Sequence, residues 1–405
     1  MTRSAKDDRV DMQEKKLPRR DWILLPMLGL MTICILAASL ELVGWLIFHT
    51  PFGGPAPCIV FNSSVGMRGI PNSVCREKAA ESEPVEYEFD NWGYRAGMDW
   101  RPRRPNTYRI VMTGSSFAMG SLVKRESTFA ALLPIELSKR TGRKVELYNE
   151  GLSWQTPQNV ALGFNNVLTA QPDLIIWILT PWDMDGVANV PLGRSSSSEP
   201  EPRWSTIRTV LRTLKSESLP DAAPVIIGAI RTRWDDTESG DLLQHYLYES
   251  QSEYVKLFLM GPPAEFLRTR PDLKFQTSVD KFNDYAADIE GRAKAAGVPL
   301  VAVLVPDRAQ AAMVSMGRWP AGFDPYKLDR EIHSTVSSHG GIYIDILPDF
   351  RSIPNPERYY FPIDGHPTAE GHRIIAELLT KALTSGPIPA LRVITQPREE
   401  IETGN

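Results

Sequence analysis

Two separate stretches of the sequence carry residue types that together could perform acyl chemistry. The first is Gly-Ser-Ser at residues 114–116, in which Ser116 offers a hydroxyl nucleophile. The second is Asp-Gly-His, in which His366 could act as a base and Asp364, two residues earlier, could orient it. Serine attack on an ester needs a base, and the base needs an orienting acid. The residue types therefore predict a nucleophile, a base and an acid.

Each stretch also has a simpler structural interpretation. A serine at the start of a helix is commonly an N-cap, and an Asp–His pair in a loop can be solvated. A metal site made of His366 and His372 is disfavoured, because six helical residues place two side chains about 240° apart around the axis. We therefore predict neither a metal ion nor a cofactor.

Two further loops carry residues that could assist the reaction. Gly151, in the stretch NEGLSWQ, would let a backbone N–H approach a substrate closely, although a loop glycine is the alternative. Asp183 and Asp185, in the stretch PWDMD, either contact a substrate or cap a turn. Gly151 follows the segment 144–149, and Asp183 and Asp185 follow the segment 173–180; both segments have the pattern of buried strands.

The elements that must position these residues alternate between strands and helices. Strands are predicted at 109–113, 144–149, 173–180, 299–305 and 342–346, and helices at 126–142, 156–171, 278–297, 327–340 and 369–383. Alternation with continuous apolar strands indicates a parallel sheet that helices cover on both faces. Active sites in such sheets lie at the carboxyl ends of the strands, where the candidate residues fall.

A long insertion at residues 184–274 interrupts the alternation, and we interpret it as a cap or side subdomain over the crevice. Within it, RWSTIRTVLRTLK, residues 203–215, has the pattern of a basic amphipathic helix. Such a helix either lies on a membrane surface or packs on the domain with a solvated charged face, and we favour the second interpretation.

The N-terminal region predicts a single membrane anchor. Residues 22–48 are almost entirely apolar and would form about 40 Å of helix, enough to span a bilayer core of about 30 Å. Lys15, Lys16, Arg19 and Arg20 precede this span, which places the N-terminus in the cytoplasm and exports the rest. Glu41 lies in the outer third of this span, where its carboxylate can either reach the membrane–water interface or pair with a partner, and we favour the first interpretation.

The predicted division of the chain follows from these features. It comprises a cytoplasmic tail at 1–21, the anchor at 22–48, an irregular exported neck at 49–107, an α/β domain at 108–385 and a tail at 386–405. Cys58 and Cys75 lie in the exported neck, where a disulfide is favoured over two free thiols. The net charge of -4 does not suggest nucleic acid as a partner.

Four motifs together resemble the SGNH (GDSL-type) hydrolases. They are VMTGSSFAMG, YNEG, LTPWD and DGHPTAEGHRIIAELL, which span roughly residues 86–385 apart from the insertion. The resemblance is greatest to membrane-anchored bacterial members related to polysaccharide O-acetylation proteins. It implies a flavodoxin-like three-layer α/β/α sandwich with a five-stranded parallel sheet.

The resemblance also implies roles for individual residues. Ser116 would be the nucleophile, Asp364 and His366 the acid and the base, and the N–H groups of Ser116 and Gly151 the oxyanion donors. Ser115 stands where the family commonly has an aspartate. Trp182 stands where the family has an oxyanion-binding asparagine.

The resemblance implies a bacterial inner-membrane protein with a periplasmic serine esterase or acyltransferase domain. Its substrate would be an O-acyl ester, most plausibly acetyl on an exported or cell-surface polysaccharide, and polysaccharide assembly proteins would be its partners. Trp182 motivates an alternative, a non-catalytic glycan-binding or scaffold module. The anchor and the basic helix motivate a further alternative, a lipid esterase.

Overall fold

The computed structural model describes residues 20–48, 58–62, 66–187, 238–247 and 250–393. Its first helix, α1 (Asp21–Phe48), is long and apolar enough to cross a membrane, and its most apolar stretch is not buried by the rest of the protein. A signal sequence near an N-terminus passes the same test of length and composition. The helix matches the predicted span, whereas its topology and compartment stay predictions.

Two short antiparallel hairpins occupy much of the segment that was predicted to be an irregular neck. β1 (Ile59–Asn62) pairs with β2 (Gly66–Gly69), and β3 (Val74–Glu77) pairs with β4 (Val85–Glu88). A disulfide joins Cys58 to Cys75 and so links the two hairpins. The segment differs from the prediction because four-residue strands between turns are too short to show a clear alternation of apolar and polar residues.

The neck packs against the body of the protein rather than standing apart from it. Tyr87, Phe89 and Tyr94 are buried and belong to the same apolar cluster as the sheet residues Val111 and Trp177. This packing brings the turn between β3 and β4 close to the candidate site described below.

A five-stranded parallel sheet forms the centre of the domain, as predicted. Its strands are β5 (Tyr108–Gly114), β6 (Val145–Asn149), β7 (Leu174–Leu179), β8 (Leu300–Leu304) and β9 (Ile342–Tyr343), in the spatial order β6-β5-β7-β8-β9. All four neighbouring pairs are parallel. The chain moves outward from β5 first to one side and then to the other, so a crevice is expected at the carboxyl ends of β5 and β7.

Helices cover both faces of this sheet. The α-helices that follow α1 in the described residues are α2 (Ser116–Met119), α3 (Phe129–Thr141), α4 (Pro157–Thr169), α5 (Pro181–Val187), α6 (Glu238–Leu247), α7 (Gln251–Leu259), α8 (Leu273–Ala295), α9 (Arg308–Met316), α10 (Lys327–His339) and α11 (Ala369–Thr384). Helices α3 and α11 pack on one face, and α4, α8 and α10 pack on the other. Alternate strand residues such as Ile176 and Trp177 enter opposite apolar layers. The result is the predicted three-layer α/β/α architecture.

The described part of the insertion lies between the anchor helix and the body. Helix α6 packs along the end of α1, where the Ser239 N–H donates to Glu41 Oε2 over 3.0 Å. Helix α7 contacts α9, and the Arg308 guanidinium lies 3.9 Å from the ring centroid of Tyr254. The predicted basic helix at 203–215 lies outside the described residues.

Candidate active site

A sharp turn at the end of β5 delivers Ser116 to the crevice. Gly114 adopts a φ of +146°, and a Cβ on it would lie 2.4 Å from the carbonyl oxygen of Ile178 in β7. A glycine is therefore required at this point by both conformation and space. Ser115 is the N-cap residue of α2, and Ser116 is the first residue of that helix.

The structure brings Ser116, His366 and Asp364 into one hydrogen-bonded line. Ser116 Oγ lies 2.7 Å from His366 Nε2, and His366 Nδ1 lies 2.5 Å from Asp364 Oδ1. The two ring nitrogens therefore face a nucleophile on one side and a carboxylate on the other. This is the arrangement that a base needs in order to take the serine proton.

The electrostatics of the pair favour an ionised Asp364. Partial burial alone would raise the pKa of this carboxyl, but the attraction of His366 and two hydrogen bonds from it outweigh burial, so the pKa lies below its usual value. The side chains of His366 and Asp364 are 14% and 31% exposed, respectively. The carboxylate can thus stabilise a positive charge on the imidazole when the proton arrives.

A tight turn holds the Asp–His pair together. The Phe361 N–H donates to the carbonyl of His366 over 2.8 Å, and the Gly365 N–H donates back to the carbonyl of Phe361 over 2.9 Å. The His366 N–H donates to Asp364 Oδ1 over 3.1 Å. Gly365 has a φ of +84°, which a side chain would strain.

The side chain of Trp182 packs against the ring of His366. Its ring meets the ring of His366 edge-on at a centroid distance of 5.1 Å, and it meets Phe117 edge-on at 5.2 Å. A Cβ on Gly365 would lie 2.9 Å from this indole. A hydrogen bond from Trp182 also helps to hold down the pKa of the buried Asp307 carboxyl, which burial raises to about 7. Trp182 thus packs against the ring of His366. It stands at the position where the family that the sequence resembles has an oxyanion-binding asparagine.

Asp183 has a structural role in this geometry. Its carboxylate accepts the Thr180 N–H over 2.7 Å, while the Asp183 N–H donates to the Thr180 carbonyl over 3.1 Å. Burial raises its pKa to about 7, against hydrogen bonds from Ser115 and Thr180. Of the two interpretations of Asp183, the structure therefore favours the cap of α5 over a substrate contact. The side chain of Asp185 lies outside the described ones.

Gly151 lies beside helix α2, which begins with Ser116, but its N–H already has a partner. That N–H donates to the side-chain oxygen of Asn149 over 3.0 Å, and the Asn149 amide donates to the Ala118 carbonyl over 2.8 Å. A Cβ at Gly151 would lie 2.5 Å from Ala118 Cβ and 2.7 Å from the Met119 nitrogen. The glycine is thus required for close packing on α2, and its role as an oxyanion donor stays a prediction.

His372 is a buried structural residue. Its Nδ1 accepts the Phe129 N–H over 3.2 Å, and burial together with the charges of His366 and Arg95 lowers its pKa to about 3. Within the described ranges, no group of three or more His, Cys, Asp or Glu side chains could hold a metal ion.

The sequence analysis missed three residues of the site. Phe117 contacts the rings of both Trp182 and His366. Asp307 follows the fourth strand of the sheet, and Glu81 of the neck contacts the loop that bears Asp364. Each lies far along the chain from at least one of its contacts. Position after a strand end could have pointed to Phe117 and Asp307, but not to Glu81.

Comparisons with known proteins found no matching family model and no matching curated protein. Solved structures give weak likenesses. An α/β hydrolase from the metagenome of Lake Arreo is 14% identical, with 68% of this chain and 94% of that chain covered and a TM-score of 0.34. An acetylxylan esterase from Geobacillus stearothermophilus is 11% identical, with coverages of 68% and 94% and a TM-score of 0.35. A psychrotrophic esterase from a Pseudoalteromonas species is 10% identical, with coverages of 69% and 96% and a TM-score of 0.32. Likenesses of this size carry no argument about activity, which rests on the geometry of the site.

Proposed function

We propose that this chain is a membrane-anchored serine esterase or acyltransferase of the SGNH type, acting on O-acyl esters through an acyl-serine intermediate. The observation that carries the proposal is the hydrogen-bonded line from Ser116 through His366 to Asp364 at the carboxyl end of the parallel sheet. A solvated loop pair or a simple N-cap would not place a serine and an aspartate on the two nitrogens of one imidazole.

The proposed reaction has two halves. Ser116 Oγ attacks the ester carbonyl carbon while His366 Nε2 takes the serine proton, and His366 then returns that proton to the departing alkoxide oxygen. The acyl group is now on Ser116. Water or an acceptor hydroxyl attacks the acyl-serine, its proton passes to His366, and Ser116 is restored with that proton.

The oxyanion of each tetrahedral intermediate needs donors near Ser116. The N–H groups in the first turn of α2 have no acceptor within that helix, and the Ser116 N–H is the proposed first donor. The Gly151 N–H is the proposed second donor, and it would have to share or leave its bond to Asn149. With Trp182 packed on His366, no asparagine supplies a third donor from that position.

We further propose an acetyl ester of an exported or cell-surface polysaccharide as the substrate and the periplasmic face of a bacterial inner membrane as the location. Supports are the apolar helix α1, the basic residues before it and the disulfide between Cys58 and Cys75, which suits an oxidising compartment. Carbohydrate and polysaccharide assembly proteins are the corresponding proposed partners.

The first test is replacement of the nucleophile. Full-length protein in detergent should release p-nitrophenol from p-nitrophenyl acetate and should react with a fluorophosphonate probe. We expect Ser116→Ala to abolish labelling and to lower kcat by roughly 10⁴-fold or more, because the acyl-enzyme can no longer form. The matched control is Ser115→Ala, the neighbouring serine, which should still be labelled.

Equal background rates for the wild type and Ser116→Ala would favour the non-catalytic glycan-binding or scaffold alternative instead. A rate that rises with acyl-chain length would favour the lipid esterase alternative. To separate esterase from transferase, the reaction is repeated with oligosaccharide acceptors, and acetylated sugar is measured by mass spectrometry against free acetate.

A further inference from the structure

The loop that carries Asp364 donates two backbone hydrogen bonds to a side chain outside the sheet domain. Glu81 Oε2 accepts the N–H of Ile363 over 2.6 Å and the N–H of Asp364 over 3.4 Å. Both N–H groups belong to the turn in which backbone hydrogen bonds join Phe361 to His366 and to Gly365. The backbone of Asp364 is therefore held by a carboxylate from the turn between β3 and β4.

The side chain of Glu81 is buried and held by several contacts. Its side chain is only 4% exposed, whereas its neighbour Glu83 in the same turn is exposed. The turn is closed by Ser82, whose hydroxyl accepts the Ala79 N–H over 3.0 Å. A buried carboxylate needs partners on both oxygens to offset its desolvation, and the loop N–H groups satisfy only one of them.

The second oxygen of Glu81 faces His245 of the insertion. Glu81 Oε1 lies 2.8 Å from His245 Nδ1, and the ring of His245 lies 5.7 Å from that of Phe48 at the end of α1. Helix α6 also contacts α1 through the Ser239 N–H, which donates a hydrogen bond to the carboxylate of Glu41. A continuous set of contacts therefore runs from the anchor helix through α6 and Glu81 to Asp364.

We infer that Glu81 is a positioning residue, which holds the Asp364 backbone so that its carboxylate meets His366 and which ties this loop to the anchor helix through His245. The inference rests on the proposed function. Glu81 touches none of the reacting atoms, so it acts on the rate through the geometry of the acid and the base. A displacement of about 1 Å in such a pair can cost roughly 100-fold in rate.

The test compares four full-length variants in detergent with p-nitrophenyl acetate. Glu81→Ala should lower kcat about 10- to 100-fold with KM within about twofold, because the substrate surface is unchanged. Glu81→Gln should stay within about threefold of the wild type, since its amide oxygen can accept the loop N–H groups and its amide nitrogen can donate to His245. His245→Ala should lower kcat by a smaller factor, and Glu83→Ala should match the wild type.

A second measurement does not depend on turnover. Hydrogen exchange at the amides of Ile363 and Asp364 should be slow in the wild type and Glu81→Gln, and fast in Glu81→Ala. An active wild type whose kcat survives Glu81→Ala would overturn this inference and leave the proposed function standing. A folded Glu81→Gln that loses as much activity as Glu81→Ala would overturn the hydrogen-bonding account. A wild type without activity or probe labelling would overturn the proposed function and this inference with it.

Discussion

At the scale of one residue, Asp364 orients the imidazole of His366 and carries the negative charge that faces it. The carboxylate accepts from His366 Nδ1, and this contact selects the tautomer in which Nε2 can take the proton of Ser116. The lowered pKa of Asp364 keeps its carboxylate ionised at mildly acidic pH, so the group that orients the imidazole retains its charge there.

We therefore expect Asp364→Asn to lower kcat by about 10⁴-fold, because an amide at this position stabilises the wrong tautomer and no longer balances the imidazolium charge. The thermal midpoint of the variant should stay close to that of the wild type. Steady-state rates with p-nitrophenyl acetate and a melting curve check both statements. A loss of less than tenfold would show that His366 is oriented by another group.

Residue types, together with their order along the predicted strands, predicted Ser116, His366 and Asp364 as a nucleophile, a base and an acid, and the structure brings these three side chains together. Trp182 and Glu81 could not be assigned in this way. The role of Trp182 depends on rings contributed by two other loops, and the role of Glu81 depends on a hairpin packing beside a loop that lies far along the chain. Such contacts appear only once the tertiary structure is formed.

At the scale of elements, the loop after β6 packs closely on helix α2, and this packing fixes the position of Ser116, the proposed nucleophile. Gly151 is the contact point, with Ala118 and Met119 directly beneath it. We expect Gly151→Ala to destabilise the protein by about 1–3 kcal/mol, because the new methyl group would overlap α2. It should also lower kcat about 10- to 100-fold as Ser116 shifts relative to His366.

Melting curves and kcat measure the two effects of Gly151→Ala separately. The matched control is Gly142→Ala, at the C-cap of α3, where a Cβ meets nothing within 4 Å. That control has a strained φ of +68° but no steric overlap, so it should cost stability while leaving kcat unchanged. A Gly151→Ala variant that behaves like this control would contradict the packing account.

The alternation of apolar strands and helices predicted the parallel sheet because each long element buries one continuous apolar face. Short elements escaped the prediction for local reasons. The strand predicted at 342–346 is only Ile342–Tyr343, since Asp345 accepts the Leu347 N–H and a 3₁₀ turn begins there. Helix α9 was missed because its small residues are buried on nearly every side and show no polar face.

For the whole molecule, the neck, the insertion and the anchor converge on one side of the sheet domain. The disulfide between Cys58 and Cys75 joins the segment before β1 to β3. Glu81, in the turn after β3, contacts the loop that bears Asp364. Because Tyr87 is fully buried in the same apolar cluster as the sheet residues, the segment predicted to be an irregular neck contributes to the core of the domain. The predicted domain boundary at residue 107 therefore separates segments that pack as one unit.

The buried Glu150 makes the stability of the whole fold depend on pH. Burial raises its pKa to about 8, against the attraction of Arg68, and one of its oxygens has no hydrogen-bond partner among the described residues. Below the unfolded value of 4.5 the group is protonated in both states. Between that value and about 8 the unfolded chain releases the proton while the folded protein keeps it, so stability falls as pH rises.

Glu150→Gln cannot ionise and should escape this loss. Its free energy of unfolding relative to the wild type should therefore increase with pH between about 5 and 8, reaching roughly 3 kcal/mol near pH 7. Denaturant unfolding at several pH values measures this difference, with the exposed Glu83→Gln as a control that should follow the wild type. A difference between Glu150→Gln and the wild type that stays constant across this range would mean that Glu150 titrates alike in the folded and unfolded states, contrary to its burial near Arg68 and Tyr94 of the neck.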